Sequence, residues 1–220
     1  MEVIYEDEYI VVVNKPFGMP VQKDLTEDTD VSSFLNEKYG EIYMINRIDR
    51  PVGGLVLFGK DKTSACALSK QIEGRAIEKK YLAVAKGRTE EKKEIKSYLL
   101  KNGRLNISKT VNKNTKNAKE AILNYRLLAY SSALDMSLLE ISLETGRHHQ
   151  IRVQMAGEGN YLIGDTKYGK KDYKYRNVAL YSYYMKFNHP KTKELLEIRA
   201  PYPKEEPFSS FSISPDEVNV

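Results

Sequence analysis

The run Asn46-Arg47-Ile48-Asp49-Arg50-Pro51-Val52-Gly53-Gly54 sets one acid between two arginines, just before a proline and a pair of glycines. A carboxylate beside two guanidinium groups should stay ionised, because a nearby opposite charge favours the charged form. Such a group can attack a carbon or accept a proton, and it does not suit the part of general acid. The bland alternative is a turn aspartate held in an ordinary surface ion pair. Three further segments share the chain with it in a fixed order. They are Lys79-Lys80-Tyr81-Leu82-Ala83-Val84-Ala85-Lys86-Gly87, then Gly146-Arg147-His148-His149-Gln150-Ile151-Arg152 followed by Gly164-Asp165-Thr166-Lys167-Tyr168-Gly169, and finally Phe187-Asn188-His189-Pro190 with Ala200-Pro201-Tyr202-Pro203.

The flanking residues predict what must hold Asp49 in place. Ile42, Met44 and Ile48 read as a short strand, and Leu55-Val56-Leu57-Phe58 as a continuous apolar and therefore buried one. Asp49 then sits where a core strand breaks, held by proline and glycine instead of a flexible linker. Glu8 to Val13 reads as another buried strand, closed by the turn signals Lys15-Pro16 and Gly18. Asp30 is placed to cap a helix with Val31, Phe34 and Leu35 at helical spacing, ending at Gly40. A second helix is expected from Asp61 to Gly74, with Ala65, Leu68 and Ile72 on one face. Tyr81 to Ala85 returns to strand. Leu139, Ile141 and Leu143 alternate with Glu140, Ser142 and Glu144, the pattern of a half-exposed strand. His149 to Ala156 reads as helix, and Val178 to Phe187 and Leu195 to Ile198 as late strands. Strands outnumber helices and much of the sheet should be antiparallel, so the expected class is α+β.

At 220 residues the chain can form one large domain or two small ones. A formal net charge of +5 permits a polyanionic partner without requiring one. The single cysteine, Cys66, excludes an internal disulfide framework, fits a reducing compartment, and reads as a small buried helix residue. No apolar run approaches membrane-spanning length and no signal pattern opens the chain, so a soluble cytoplasmic protein is expected. The stretch 92–119 holds nine Lys or Arg against one acid and reads either as a solvated loop or hairpin or as a phosphate-contacting arm. A second basic cluster, 167–176, interleaves Lys167, Lys170, Lys171, Lys174 and Arg176 with Tyr168, Tyr173 and Tyr175. Its cations suit phosphate and its rings suit unpaired bases.

Together with Tyr5-Glu6-Asp7-Glu8 and Asn14-Lys15-Pro16-Phe17-Gly18, the ordered segments resemble the RluA-type family of RNA pseudouridine synthases, from about Val3 to Pro203. The resemblance implies a mixed, mainly antiparallel bisected sheet with flanking helices and a central catalytic cleft. It also implies a single catalytic domain over 1–220, without the small S4-like RNA-binding domain that often precedes it in the family. The implied reaction converts a uridine in ribosomal or transfer RNA to its C5-glycosidic isomer, with no cofactor and no metal, and a monomer is expected. Asp49 matches the family's catalytic aspartate, acting at C1′ as nucleophile or at C2′ as base. Tyr81 matches the tyrosine that packs on the target base, and Arg152 the basic residue that pairs with the aspartate. Arg47 matches the arginine that fills the space left by the displaced nucleotide. Ile151 is implied in lining the pocket; Arg147, His149 and Gln150 in shaping the cleft or contacting the RNA backbone. Gly164, Asp165 and Tyr168 are read as a turn without a catalytic role.

Three positions depart from the family pattern: Asn46 stands for a usual His, Gly53 for a usual Ser, and Leu180-Tyr181-Ser182 for Leu-His-Ala. Two rival readings stand beside this one. His148, His149 and His189 could serve a nuclease-like metal site, but no carboxylate–histidine spacing typical of zinc accompanies them. An inactive RNA-binding paralogue would use the same residues without turnover, and intact Asp49, Tyr81 and Arg152 speak against it.

Overall fold

The computed structural model describes residues 1–24, 26, 28–170 and 174–211. Its Cα packing divides into two compact units, Met1–Lys79 with Tyr181–Pro201, and Lys80–Leu180 with the chain from Tyr202 onward. Among the described residues, three α-helices and a set of mostly antiparallel strands make the class α+β.

In the first unit, strand β1 (Glu2–Glu6) pairs antiparallel with β2 (Ile10–Lys15), and β2 with β4 (Gly53–Gly59). The two-residue β3 (Tyr43–Met44) also lies on β4. A late strand, β10 (Leu180–Asn188), joins β4 in parallel and carries β11 (Leu195–Arg199) antiparallel on its other side. Ile10 to Val13 and Leu55 to Phe58 are wholly buried, as their unbroken apolar runs require. Strand β2 starts two residues later than expected because Asp7 turns the chain. Its carboxylate accepts from the N–H groups of Tyr9 and Ile10 at 2.7 and 2.9 Å. His189 donates to the same carboxylate through Nε2 at 2.8 Å, while its Nδ1 accepts from the N–H groups of Lys191 and Thr192.

Helix α1 (Val31–Tyr39) has the expected caps: Asp30 accepts from the Ser33 N–H at 2.9 Å, and Gly40 leaves at φ +80°. Phe34, expected in the core, is 44% exposed; Val31 and Leu35 alone bury this helix. Helix α2 (Lys62–Glu73) is capped by Asp61 and starts against Gly59, where a Cβ would come within 3.0 Å of the Ala65 backbone. Cys66 is exposed, on the face of α2 opposite its buried positions, which corrects the buried reading.

The second unit is an antiparallel sheet in the order β5 (Glu78–Lys86), β9 (Met136–Leu143), β8 (Lys119–Ser131), β6 (Lys92–Asn102), β7 (Ile107–Val111). The stretch 92–119 is therefore largely an ordered strand pair. Its alternation is masked in sequence by lysines at the outward positions. Strand β9 is buried on both faces over most of its length, so the half-exposed reading fails. Glu140, 6% exposed, is tolerated there because Arg126 Nε donates to it at 2.8 Å. Helix α3 (Gln150–Gly157) packs Val153 against Leu99 and Ala121. Gln154 reinforces this by donating to the carbonyls of Ile95 and Ala121 and to the Ser97 hydroxyl.

Candidate active site

The expected catalytic residues fall in both units. Asp49 and Arg47 belong to the first, and Tyr81, Arg147, His149, Gln150, Ile151 and Arg152 to the second.

Asp49 is half-buried at the start of a tight turn, its carbonyl accepting from the Val52 N–H at 2.9 Å. The turn is anchored from below by Lys15, which is fully buried. The Lys15 ammonium donates to the carbonyls of Pro16, Met19 and Arg50 at 3.1, 2.7 and 3.1 Å, one acceptor for each of its three N–H groups. Gly18 and Arg50 are joined twice more, Gly18 N–H to the Arg50 carbonyl at 2.9 Å and Arg50 Nε to the Gly18 carbonyl at 3.0 Å. Burial pushes the Lys15 ammonium down to about 7; the charge of Asp49 pulls it back up and that of Arg50 pushes it down. In the sequence Lys15 reads only as a turn signal. A buried lysine gives no sign of burial in its own residue type.

The two arginines beside Asp49 behave differently from the expected pair. The Arg50 guanidinium donates to Asp24 at 3.3 Å and to the Thr26 hydroxyl at 2.9 Å, and is paired with Asp28. Arg47 is exposed.

The three departures from the family pattern also find places here. Asn46 is buried, and its Oδ1 accepts from the Leu57 N–H at 2.8 Å. A Cβ on Gly53 would sit 2.9 Å from the Phe17 ring, and that ring stacks on Tyr181 with centroids 5.7 Å apart. The Tyr181 hydroxyl donates to Asn14 at 3.0 Å. Glycine at 53 and tyrosine at 181 are thus two parts of one packing arrangement: the Phe17 ring, stacked on Tyr181, occupies the volume a side chain at 53 would need. Gly54, at φ +109°, admits the Ser182 backbone, with which a Cβ would collide.

In the second unit, Tyr81 lies on β5 opposite Ile141 and is 7% exposed. Arg152, on the first turn of α3, is 3% exposed. Its Nε and Nη2 donate to the two carboxylate oxygens of Asp165 at 2.7 and 2.8 Å, a fork-to-fork pair between wholly buried groups. Its guanidinium carbon lies 5.3 Å from the centre of the Tyr168 ring. The Tyr168 hydroxyl accepts from the Ser108 N–H at 2.7 Å and bonds His149 Nδ1 at 2.8 Å. His149 itself turns the chain into α3 at φ +54°. The Gln150 amide is spent inside the fold, accepting from Thr145 Oγ1 and Arg147 N–H and donating to the Ile122 carbonyl. Arg147 Nε donates to the Glu120 carbonyl at 2.9 Å, and Ile151 is 4% exposed. His148 stacks on His149 and bonds Ser108.

Among the described residues no group of three or more His, Cys, Asp or Glu is placed to hold a metal, and no helix is long and apolar enough to cross a membrane. In the second basic cluster, Tyr175 is buried, and Tyr168 is half-buried with its hydroxyl engaged internally. Lys171 and Tyr173 lie outside the described residues.

A sequence model of the RNA pseudouridylate synthase family matches residues 9–157, which span Asp49, Tyr81 and Arg152. The chain belongs to the RNA pseudouridylate synthase family. The tRNA pseudouridine synthase C of Vibrio vulnificus is 31% identical to it over 221 residues, covering 91% of this chain and 90% of the relative. An uncharacterized RNA pseudouridine synthase of Bacillus subtilis, YhcT, is 28% identical over 211 residues, covering 92% of this chain and 69% of its own. The solved structure of human RNA Pseudouridylate Synthase Domain Containing 1 superimposes with a TM-score of 0.81 at 21% identity, covering 99% of this chain and 92% of that one. The chain is accordingly an isomerase that forms pseudouridine in RNA.

Proposed function

We propose that this pseudouridine synthase acts on a uridine in transfer RNA, with Asp49 as its essential carboxylate, Tyr81 against the target base and Arg152 as the cation paired with the carboxylate. The reaction breaks N1–C1′ and joins C5 to C1′; the C5 proton leaves for water and N1 gains one. No atom is imported and nothing is oxidised. The single observation that carries the reading is the Asp49 turn. A half-buried carboxylate rides on a loop whose carbonyls are gathered by a buried lysine, so its position is fixed before substrate arrives. Exposed Arg47, two residues earlier, is suited to occupy the place of a nucleotide drawn from its stack, a displacement that costs a few kcal/mol. Transfer RNA is favoured over ribosomal RNA by the activity for which the Vibrio vulnificus relative is named.

The test is tritium release from C5-labelled uridine in transfer RNA and in ribosomal RNA, each supplied separately. Asp49→Asn should lower turnover roughly a thousandfold, about 4 kcal/mol of barrier, while RNA affinity stays near wild type. Turnover in the variant close to wild type would remove Asp49 from the mechanism. Release from ribosomal but not transfer RNA would overturn the substrate assignment and leave the chemistry standing.

A further inference from the structure

We infer that Asp165 is a positioning residue for the isomerisation: its carboxylate fixes the plane of the Arg152 guanidinium, and thereby the direction in which that cation acts. This rests on the role proposed for Arg152 and extends it to a residue whose motif reads as a simple turn.

The geometry is restrictive. One hydrogen bond would leave the guanidinium free to swivel, whereas two parallel bonds from Nε and Nη2 fix both its position and its plane. Asp165 is itself held from several sides. Its Oδ1 accepts from the N–H groups of Lys167 and Tyr168 at 3.0 and 3.3 Å. Its carbonyl accepts from Gly169 at 2.8 Å, and its own N–H donates to Leu162 at 3.1 Å. Gly164, at φ +75°, lets the turn press against the Asn177 carbonyl, where there is no room for a Cβ. Tyr168 flanks the guanidinium, and its hydroxyl is tied to Ser108 and His149.

Stability alone is a poor account of this arrangement. Two ions at 4% and 0% side-chain exposure carry a desolvation cost that an apolar pair of the same size would avoid. A fixed direction for a cation is something an apolar pair cannot provide. Asp165 occupies the Nε–Nη2 edge of the fork, so pairing of Arg152 with a second carboxylate would use the Nη1–Nη2 edge, aimed by the first pair.

The experiment compares Asp165→Asn, Arg152→Gln and the double variant by tritium release and by the exchange of the Arg152 Nε–H with solvent in nitrogen-15 spectra. Asp165→Asn keeps the shape but offers one acceptor where there were two. It should lower kcat by about ten- to hundredfold with little change in KM, the scale of a small misplacement at a reacting centre. The Nε–H, protected in wild type, should exchange rapidly in Asp165→Asn. Added to Arg152→Gln, the same substitution should cost nothing further, because a residue acting through Arg152 has nothing left to position. A kcat near wild type in Asp165→Asn, or an undiminished loss in the Arg152→Gln background, would overturn the inference. If Asp165→Asn alone fails to fold, the double variant decides, since its buried pair carries no unpaired charge: turnover equal to Arg152→Gln supports positioning, and lower turnover refutes it. Absence of tritium release from the wild type would instead defeat the functional reading. The exchange measurement would then stand alone: protection removed by Asp165→Asn supports the inference, and an unprotected wild-type Nε–H refutes it.

Discussion

At the scale of single residues, Tyr81 offers two separable properties, a ring and a hydroxyl, on a strand position that is 7% exposed. Stacking on a base needs only the ring, worth about 1–3 kcal/mol per base. Tyr81→Phe should therefore retain more RNA affinity than Tyr81→Ala, by roughly tenfold in Kd if the stack is worth about 1.4 kcal/mol. Proton removal from C5 would need the hydroxyl, so Phe should still lose turnover at saturating RNA. Equal losses of affinity for Phe and Ala, measured by filter binding, would contradict stacking. Residue types near Asp49 announced a charged turn but not the lysine that holds it. Arg50, adjacent in sequence, engages Asp24 and Asp28, while the cation that gathers the turn's carbonyls lies at position 15. Asp165 was visible inside a conspicuous motif, yet its pairing with a residue 13 positions earlier has no local periodicity to reveal it. Ion pairs between separate elements are set by topology, and topology is written in burial patterns that a lysine or an aspartate does not carry.

At the scale of elements, the helices were legible, and the basic strands only as a hairpin that stood beside a loop and an arm as alternatives. Asp30 and Gly40, and Asp61 and Gly74, bracket α1 and α2 because caps are local chemistry, satisfied within one turn of chain. Strands β6 and β7 were hard to tell from a loop because Lys92, Lys96, Lys101 and Lys109 are all exposed, and only Ile95, Leu99 and Ser108 along the pair are buried. The hairpin they form is now the clearest candidate for a phosphate-contacting surface. Its exposed cations include Lys101 and Arg104 near the first turn, with Lys109, Lys113 and Lys116 along the return toward β8. Replacing Lys109, Lys113 and Lys116 together by Gln should weaken binding of all RNAs tested. It should also flatten the slope of log affinity against log salt by roughly 0.7 to 0.9 for each phosphate no longer neutralised. Turnover at saturating RNA should hold, since these side chains stand outside the proposed catalytic set. An unchanged salt slope would make them merely solubilising charge.

For the molecule as a whole, Lys15 links protonation to stability. Burial holds its folded value near 7, against 10.5 for an ordinary lysine. Below about 7 both folded and unfolded chains carry the proton, and the full cost of the buried charge is present. Between about 7 and 10.5 only the unfolded chain binds it, so resistance to unfolding rises with pH, by at most about 1.4 kcal/mol per unit. The urea midpoint of wild type should thus climb relative to that of Lys15→Met between pH 7 and 9. A difference that stays flat across that range would show that the lysine keeps its ordinary protonation. The same unit has one more property that follows from the pairing of Gly53 and Gly54 with Tyr181 and Ser182. The strand that leads out of the Asp49 turn is flanked on one side by chain made early and on the other by chain more than 120 residues downstream. Contacts of such long sequence separation form late in folding. A ribosome that has delivered Asp49 has therefore not yet delivered the strand that completes the sheet beside its turn. That sheet is completed only with β10, so a nascent or prematurely ended chain would display the Asp49 turn while lacking one of the two strands that border β4.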